Sequence, residues 1–194
     1  MSSAKSEIRA EAKRRISALS AEQQQTLARL AGEEGFRCLE SLGLKDGTPV
    51  GLFLSMKGKE IETRPLIERL RETGRYAILV PRVEEDGVTM NFYPYLEEAP
   101  HHISRYGIWE PDAPCSAAVV PEVIIVPGLA FDRNGGRVGH GKGFYDRYFA
   151  RHAGAIARKI GYAYSVQLFD EVPMDDFDRP LDTLVTDTGI YTRS

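Results

Sequence analysis

Residues 135–147 (Gly-Gly-Arg-Val-Gly-His-Gly-Lys-Gly-Phe-Tyr-Asp-Arg) carry the side chains best suited to chemistry on an anion. Glycine tolerates a positive φ and lets a ligand approach the backbone because it has no Cβ. Successive N–H groups in such a loop form a concave anion site, and the start of a following helix adds partial positive charge. Arg137, Lys142 and Arg147 can contact phosphate, and the carboxylate of Asp146 suits Mg²⁺. The run predicts a polyphosphate site with a metal ligand beside it.

An ordinary glycine-rich turn is the alternative interpretation, since short glycine patterns arise often by chance. The flanking residues favour a ligand site. Residues 122–127 are typical of a strand buried on both faces, and aromatic residues follow the glycines at helical spacing, namely Phe144, Tyr145, Tyr148 and Phe149. The run is neither a Walker A motif nor a Gly-x-Gly-x-x-Gly motif. It predicts a phosphate site between a strand and a helix, without specifying a reaction.

The composition is typical of a soluble globular protein. Of 194 residues, 42% are hydrophobic and 27% are charged, and this length favours one domain with a substantial core. No apolar stretch approaches membrane-spanning length and no secretory signal is visible, so we expect no membrane partner. Cys38 and Cys115 lack partner spacing, which argues against structural zinc and favours a reducing, cytoplasmic location. The net charge of −3 gives no reason to expect nucleic acid, so anion binding should be local.

Three helices are predicted before the glycine run. Residues 4–19 form an amphipathic pattern, and Ser20 to Gln23 has the spacing of a capping box that begins a second helix. This second helix runs towards Leu42, although two glycines inside it allow a break. Thr63 is expected to cap a third helix, which ends at residues 73–74.

Apolar, β-branched runs alternate with these helices. The predicted strands are residues 50–55, 76–81, 88–93, 122–127 and 159–163, with one or two short closing strands at 184–186 and 189–191. Residues 94–121 are rich in proline and loop formers. The alternation predicts an α/β fold: a single domain over residues 1–194, with a mostly parallel sheet flanked by helices on both faces, a Rossmann-like three-layer sandwich. The glycine run is expected beyond the carboxyl ends of the strands, where such sheets bind ligands.

Ordered motifs along nearly the whole chain resemble the 5-formyltetrahydrofolate cyclo-ligase family, also called 5,10-methenyltetrahydrofolate synthetases. The signature is Pro127-Gly-Leu-Ala-Phe-Asp132, followed by Arg-x-Gly-x-Gly-x-Gly-aromatic-Tyr-Asp at residues 137–146. Further matches lie at residues 5–9, 53–56, 60–63, 81–82, 107–111, 161–167 and 172–178. So many ordered matches are far more specific than the glycine run alone.

The resemblance implies an enzyme that converts 5-formyltetrahydrofolate to 5,10-methenyltetrahydrofolate while ATP becomes ADP and phosphate, with Mg²⁺ as cofactor. Its partners are then two small-molecule substrates, and we expect a monomer. Phosphorylation of the formyl oxygen makes the carbon open to attack by N10. Positioning and charge neutralisation are expected to supply most of the acceleration.

The resemblance also implies roles for individual residues. Arg137 and Lys142 are the expected catalytic cations. Expected ATP contacts are Lys5, Arg9, Arg137, Val138, Gly139, His140, Gly141, Lys142, Gly143, Phe144 and Tyr145. Expected folate contacts are Leu54, Met56, Glu60, His140, Phe144 and Tyr145, with Glu62 as an alternative to Glu60. Expected metal ligands are Asp146 and Asp178.

Two positions depart from the family pattern. Phe144 stands where many relatives have tyrosine, and His140 stands where other residues are common. Two other functions fit part of the pattern: a sugar-phosphate isomerase or regulator, and a non-catalytic adaptor. The first explains the glycine run but not the acids, the N-terminal cations and the Glu60 segment together. The second is disfavoured because every expected catalytic position is present.

Overall fold

The structure is a computed structural model that describes residues 3–56, 58–96, 98, 101–104, 109–112 and 117–193. Cys115 and residues 107–108, named above, lie outside the described residues. The helices are α1 (Ser3–Ser17), α2 (Ala21–Ser41), α3 (Arg64–Thr73) and α4 (Phe144–Arg151), with a 3-10 turn at Ser165–Gln167. The strands are β1 (Thr48–Gly51), β2 (Tyr76–Val83), β3 (Met90–Pro94), β4 (His101–Ile103), β5 (Trp109–Pro111), β6 (Val123–Val126), β7 (Ala130–Phe131), β8 (Arg137–Val138), β9 (Arg158–Tyr162), β10 (Thr183–Thr186) and β11 (Gly189–Thr192).

A seven-stranded sheet organises the molecule, in the order β11-β10-β9-β6-β1-β2-β3. The inner neighbours from β10 to β2 pair in parallel, while β11 and β3 add antiparallel edges. Every residue of β6 is buried, as its apolar sequence predicted. The hairpins β4–β5 and β7–β8 lie outside this sheet.

Helices cover both faces of the sheet. Ile125 packs in one core cluster with Leu39 of α2 and Leu66 of α3. Its neighbours on β6, which point to the opposite face, pack with Tyr148 and Phe149 of α4 in a second cluster. The predicted mostly parallel, three-layer α/β fold is therefore confirmed. No helix within the described ranges combines the length and the apolar character that a bilayer crossing requires.

The helix predictions are largely confirmed. The capping box is formed, because Ser20 Oγ accepts the Gln23 N–H at 3.1 Å and Gln23 Oε1 accepts the Ser20 N–H at 2.8 Å. α2 continues through Gly32 without a break. A Cβ at this position would lie only 3.0 Å from Pro65 Cβ. The glycine serves close packing against α3. Thr63 precedes α3 but makes no side-chain cap; its hydroxyl donates to the Phe53 carbonyl at 2.8 Å instead.

Three strand predictions need correction. β1 ends at Gly51, so residues 52–55 are not a strand, although Leu52 N–H still donates to the Leu79 carbonyl. The predicted loop at 94–121 contains β4 and β5. Arg137 and Val138 were expected in a loop but form β8, paired with β7. The closing segment comprises two strands, β10 and β11.

Candidate active site

A cavity of about 670 Å³ lies beyond the carboxyl ends of the parallel strands. Pro127, the residue after β6, forms part of its wall. Its described lining residues come from α1, the segment after β1, the β8–α4 region and the segment before β10: Lys5, Arg9, Lys13, Ile16, Ser17, Met56, Gly58, Lys59, Glu60, Pro127, Leu129, Arg137, Val138, Gly139, His140, Gly141, Lys142, Gly143, Phe144, Tyr145, Asp146, Asp175 and Asp178. One space thus collects side chains from widely separated parts of the sequence.

The β7–β8 hairpin is held by a buried carboxylate. Asp132 Oδ1 accepts the N–H groups of Asn134 and Gly136, both at 2.8 Å, and Oδ2 accepts the N–H of Val172 at 2.9 Å. A Cβ on Gly136 would lie 2.3 Å from Asp132 Oδ2, so this position requires glycine. The arrangement fixes the start of β8 and therefore the position of Arg137.

The glycine loop joins β8 to α4. Gly141 and Gly143 have φ values of 89° and 66°, which favour glycine, and Gly143 directly precedes the first turn of α4. The amides of Gly139, His140 and Gly141 donate to no acceptor within the described part of the chain. Exposed N–H groups before a helix N-terminus attract anions. The predicted loop between a strand and a helix is therefore present, with amides available to a ligand.

Helix α1 contributes a row of cations to the same cavity. Lys5, Arg9 and Lys13 are spaced four residues apart and all line it. Arg9 Nε donates to the Gly139 carbonyl at 2.9 Å, which ties the helix to the glycine loop. Below this contact, Ala12 of α1 packs in a third apolar cluster with Val138 of β8.

Lys5 binds two carboxylates near the other end of the chain. Its Nζ donates to Asp175 Oδ2 at 2.6 Å and also to Asp178 Oδ2. Burial alone would lower the pKa of Lys5, but the hydrogen bonds and charges of both aspartates outweigh burial and raise it. Burial would likewise raise the pKa of Asp178, yet the Asp175 N–H and the charges of Lys5 and Arg137 hold it below its usual value. Both groups are therefore ionised at neutral pH.

Arg137 and Asp146 form a second ion pair. Arg137 Nη2 donates to both oxygens of Asp146, each at 2.9 Å, and the two side chains are 7% and 19% exposed. The backbone N–H of Arg179 also approaches Asp146 Oδ1, at 3.4 Å. Because Arg179 directly follows Asp178, this contact brings both candidate metal ligands to the same side of the cavity.

Glu60 and His140 meet across the cavity. His140 Nε2 lies 3.0 Å from Glu60 Oε1, and Glu60 Oε2 accepts the Met56 N–H at 3.2 Å. The Glu60 side chain is only 5% exposed. Glu62, by contrast, accepts hydrogen bonds from Ser55 and from the Arg64 N–H and is not among the lining residues.

Three of the candidate site residues named from the sequence do not line the cavity, namely Leu54, Glu62 and Arg147, and the structure brings the others together there. Arg147 donates instead to the carbonyls of Lys142 and Val88. Leu54 packs against the first core cluster and does not line the cavity. Phe144 and Tyr145 line it while also packing against the second cluster. The sequence analysis missed several lining residues, among them Lys13, Asp175, Ser17 and Lys59. The spacing of Lys13 from Arg9 was the available signal, whereas nothing in the sequence linked Asp175 to Lys5.

Carboxylate oxygens are the donors that Mg²⁺ prefers, and it is commonly held by one or two carboxylates together with substrate phosphates. Asp146 and Asp178 match this donor set. No group of three or more His, Cys, Asp or Glu side chains in the described ranges is arranged to hold a metal ion. The residues fit a metal that arrives with a phosphate ligand and do not form a complete protein cage.

The fold and the cavity define a three-layer α/β protein with a cationic, glycine-lined anion site at the carboxyl edge of its sheet. The model of the 5-formyltetrahydrofolate cyclo-ligase family matches residues 1–187, and the chain belongs to that family. The family membership expected from the motifs is thereby confirmed.

Individual relatives agree with this membership. The 5-formyltetrahydrofolate cyclo-ligase of Escherichia coli K12 is 32% identical over 186 residues, which cover 92% of this chain and 98% of that protein. The mouse protein of the same name is 27% identical over 196 residues, covering 95% and 94%. Two similar solved structures are 5,10-methenyltetrahydrofolate synthetases. That of Aquifex aeolicus is 32% identical, with a TM-score of 0.75 and coverage of 97% and 92%. That of Mycoplasma pneumoniae, at 20% identity, TM-score 0.72 and coverage of 94% and 98%, supports the fold.

Proposed function

We propose that this chain converts 5-formyltetrahydrofolate to 5,10-methenyltetrahydrofolate, with ATP cleaved to ADP and phosphate. One observation supports the proposal most strongly. A single cavity receives the cations of α1, the glycine loop, the Glu60 segment and the Asp146–Asp178 pair. An anion site alone accounts for the loop and the cations, whereas the buried Glu60 carboxylate beside the loop can also accept hydrogen bonds from a second ligand.

The reaction depends more on the alignment of the two substrates than on covalent catalysis by the protein. The formyl oxygen attacks the terminal phosphorus of ATP, so an O–P bond forms as the bond to ADP breaks. N10 then attacks the activated formyl carbon and loses its proton to solvent, and the C–O bond breaks as phosphate departs. Holding the two substrates in line and neutralising the phosphates are the contributions expected of the protein.

In this assignment Lys5, Arg9 and the glycine-loop amides hold the triphosphate. Arg137 and Lys142 neutralise the charge that spreads over the transferring group. Both line the cavity, and Arg137 is fixed by the β7–β8 hairpin. Preorganised cations stabilise such charge without reorganising during the reaction.

Glu60 is assigned to the pterin, since its buried carboxylate can accept paired hydrogen bonds from the amino and ring N–H groups. Glu62 is not, because its oxygen is engaged outside the cavity. Met56, His140, Phe144 and Tyr145 complete the expected folate contacts. Leu54 is assigned a supporting role behind them, given its packing against the core.

Mg²⁺, when bound, supplies divalent charge to the phosphate oxygens, and Asp146 and Asp178 are the residues assigned to hold it. Each of these carboxylates is paired with a cation assigned to phosphate, Arg137 and Lys5 respectively. We infer an exchange in which the phosphates take the cations while the carboxylates become free. Nucleotide and metal are then expected to bind together, because either one alone leaves charges unpaired.

The activity is tested by incubating the purified protein with MgATP and 5-formyltetrahydrofolate. We expect the absorbance of the methenyl product to rise with an equal amount of ADP. Absence of product from folded protein that demonstrably binds ATP would refute the proposed function. Product formed without ADP would refute the phosphorylation route.

The ion-pair exchange is tested with Lys5→Gln and its charge-matched control Lys13→Gln, which lies two turns along α1. Without nucleotide, we expect Lys5→Gln to bind Mg²⁺ about tenfold more tightly than the parent by calorimetry, because Asp175 and Asp178 lose their cation. Lys13→Gln should bind nucleotide-free Mg²⁺ as the parent does. Equal Mg²⁺ affinity in the parent and Lys5→Gln would contradict the exchange.

We also propose a cytoplasmic, monomeric protein. The buried Cys38 thiol suits a reducing compartment, and burial raises its pKa to about 11. Sedimentation of the purified protein tests the monomer.

A further inference from the structure

Buried polar atoms without a hydrogen-bond partner are concentrated at the cavity. Among the described residues, four side chains carry such an atom, and three of the four line the cavity: Arg9, Arg137 and Tyr145. The two arginines each have other hydrogen-bond partners. The hydroxyl is the single polar group of the Tyr145 side chain, and it has no hydrogen-bond partner within the described structure. A buried hydroxyl that is left unpaired requires an explanation, and a catalytic role is one of those that apply at a cavity.

Packing holds the Tyr145 ring in place. The ring lies 6.0 Å from the ring of Phe149, centroid to centroid, at an interplanar angle of 53°. The guanidinium carbon of Arg137 lies 5.8 Å from its centroid. Because Tyr145 is also in the first turn of α4, directly after the glycine loop, its hydroxyl has little freedom to find another partner.

Tyr145 lines the same cavity as Glu60 and Arg137. The Arg137 guanidinium lies against its ring. Glu60 belongs to the proposed folate wall and Arg137 to the proposed phosphate wall. In the proposed function, the oxygen that passes from the formyl group to phosphate is handled between these two walls, in the cavity that Tyr145 lines.

The Tyr145 side chain can serve as a hydrogen-bond donor. A tyrosine phenol ordinarily has a pKa of about 10 and so carries its proton at neutral pH. A neutral phenol can donate its O–H but does not accept a second proton. This excludes a role as a general base and leaves that of a hydrogen-bond donor.

We propose that the Tyr145 hydroxyl donates a hydrogen bond to the formyl oxygen throughout the reaction, an inference that rests on the function proposed above. A carbonyl oxygen has two lone pairs. One lone pair accepts the hydrogen bond from the Tyr145 hydroxyl. This orients the second lone pair towards the terminal phosphorus of ATP. No proton is transferred from the phenol.

The same hydrogen bond favours the second step. When N10 has bonded to the carbon, the C–O bond breaks and its electron pair stays with the oxygen, which leaves as part of phosphate. A donor to this oxygen is stronger once the oxygen carries negative charge. Tyr145 therefore stabilises the departing group more than the bound substrate, which is the requirement for raising kcat.

The test compares Tyr145→Phe with Tyr148→Phe. Tyr148 is on the same helix, is buried against Phe92 and does not line the cavity. We expect Tyr145→Phe to lower kcat about 100-fold, as removal of an oxyanion donor does, with little change in either KM. Its melting temperature without ligands should equal or exceed that of the parent, because an unpaired hydroxyl has been removed. Tyr148→Phe should keep the parental kcat.

Each other outcome overturns the inference. An unchanged kcat in Tyr145→Phe means that the hydroxyl does not act on the reacting oxygen. A rise in the KM for ATP alone places it on the nucleotide. A lower melting temperature together with lower kcat means that it is a structural group with a partner. If the parent and Tyr148→Phe are also inactive, the proposed function itself has failed.

Discussion

Asp132 illustrates how one buried side chain can position a site that it does not enter. It is 3% exposed and accepts three backbone N–H groups from two segments that are distant in sequence. The sequence showed Asp132 as part of a family motif and Gly136 as part of a glycine run. The sequence did not show that Asp132 leaves no room for a side chain at Gly136, because the contact between them depends on the β7–β8 hairpin.

Replacing Asp132 by Asn should lower the free energy of unfolding by about 2–3 kcal/mol, since an amide N–H₂ then faces a backbone donor in a buried site. Chemical denaturation measures the loss. Asp46→Asn is the matched control, because Asp46 is 79% exposed and its pair with Arg75 should contribute less than about 1 kcal/mol. Equal losses in the two variants would show that Asp132 has no special structural role.

For Lys5 and Arg9 of α1, the sequence predicted that they lie at the site but not which protein groups they contact. Lys5 and Arg9, which the family resemblance named as ATP contacts, both line one cavity with the glycine loop. Their roles towards ATP stay predictions. Their protein partners could not be read from the sequence, because Asp175 and Asp178 approach Lys5 only after the chain has completed the sheet.

Among the elements, those with strong local signals were predicted best. The capping box of α2 and the apolar strands β2, β6 and β9 depend on short-range patterns. The predicted C-terminal end of β1 was wrong. Residues 52–54 are apolar because they pack against the core after the strand has ended. The hairpins β4–β5 and β7–β8 were missed because each strand has only two or three residues.

The turn between β2 and β3 should be sensitive to acid. Asp86 accepts hydrogen bonds from the Thr89 hydroxyl, the Thr89 N–H and the Val88 N–H, which lower its pKa to about 2. A lowered carboxyl pKa stabilises the fold above the unfolded value of about 3.9 and loses that stabilisation as pH falls towards 2. The stability advantage of the parent over Asp86→Asn should therefore shrink between about pH 4 and pH 2.

Thermal unfolding of both proteins across this range measures the difference. Asp46→Asn serves again as an exposed control. If the stability difference between the parent and Asp86→Asn stays constant down to pH 2, the lowered pKa of Asp86 is contradicted.

At the scale of the molecule, the net charge of the chain is negative, whereas the charge of the cavity lining is positive. The chain carries a net charge of −3, yet its described cavity-lining residues include six cationic and four anionic side chains. The sequence predicted a local basic exception around the glycine run. In the folded protein this basic region is larger than the sequence indicated, because Lys5, Arg9 and Lys13 of α1 line the same cavity as the glycine run.

Association of ATP should therefore slow as ionic strength rises from about 0.02 to 0.2 M, because local attraction is screened. Stopped-flow measurement of the association rate constant provides the test. Lys13→Gln should show a weaker salt dependence than the parent. A rate that increases with salt would mean that the overall negative charge dominates.

The single-domain organisation stays a prediction, supported by one seven-stranded sheet that joins both halves of the described chain. The three-layer arrangement was predictable because alternating helices and buried strands have few packing solutions. The shape of the cavity was not, since it depends on how irregular segments meet at the sheet edge.

The contact between Lys5 and the Asp175–Asp178 segment spans 170 residues or more of sequence. On the ribosome, the first helix emerges long before the carboxylates that hold it have been translated. A nascent polypeptide therefore completes this part of its cavity only after residues 175–178 have been translated.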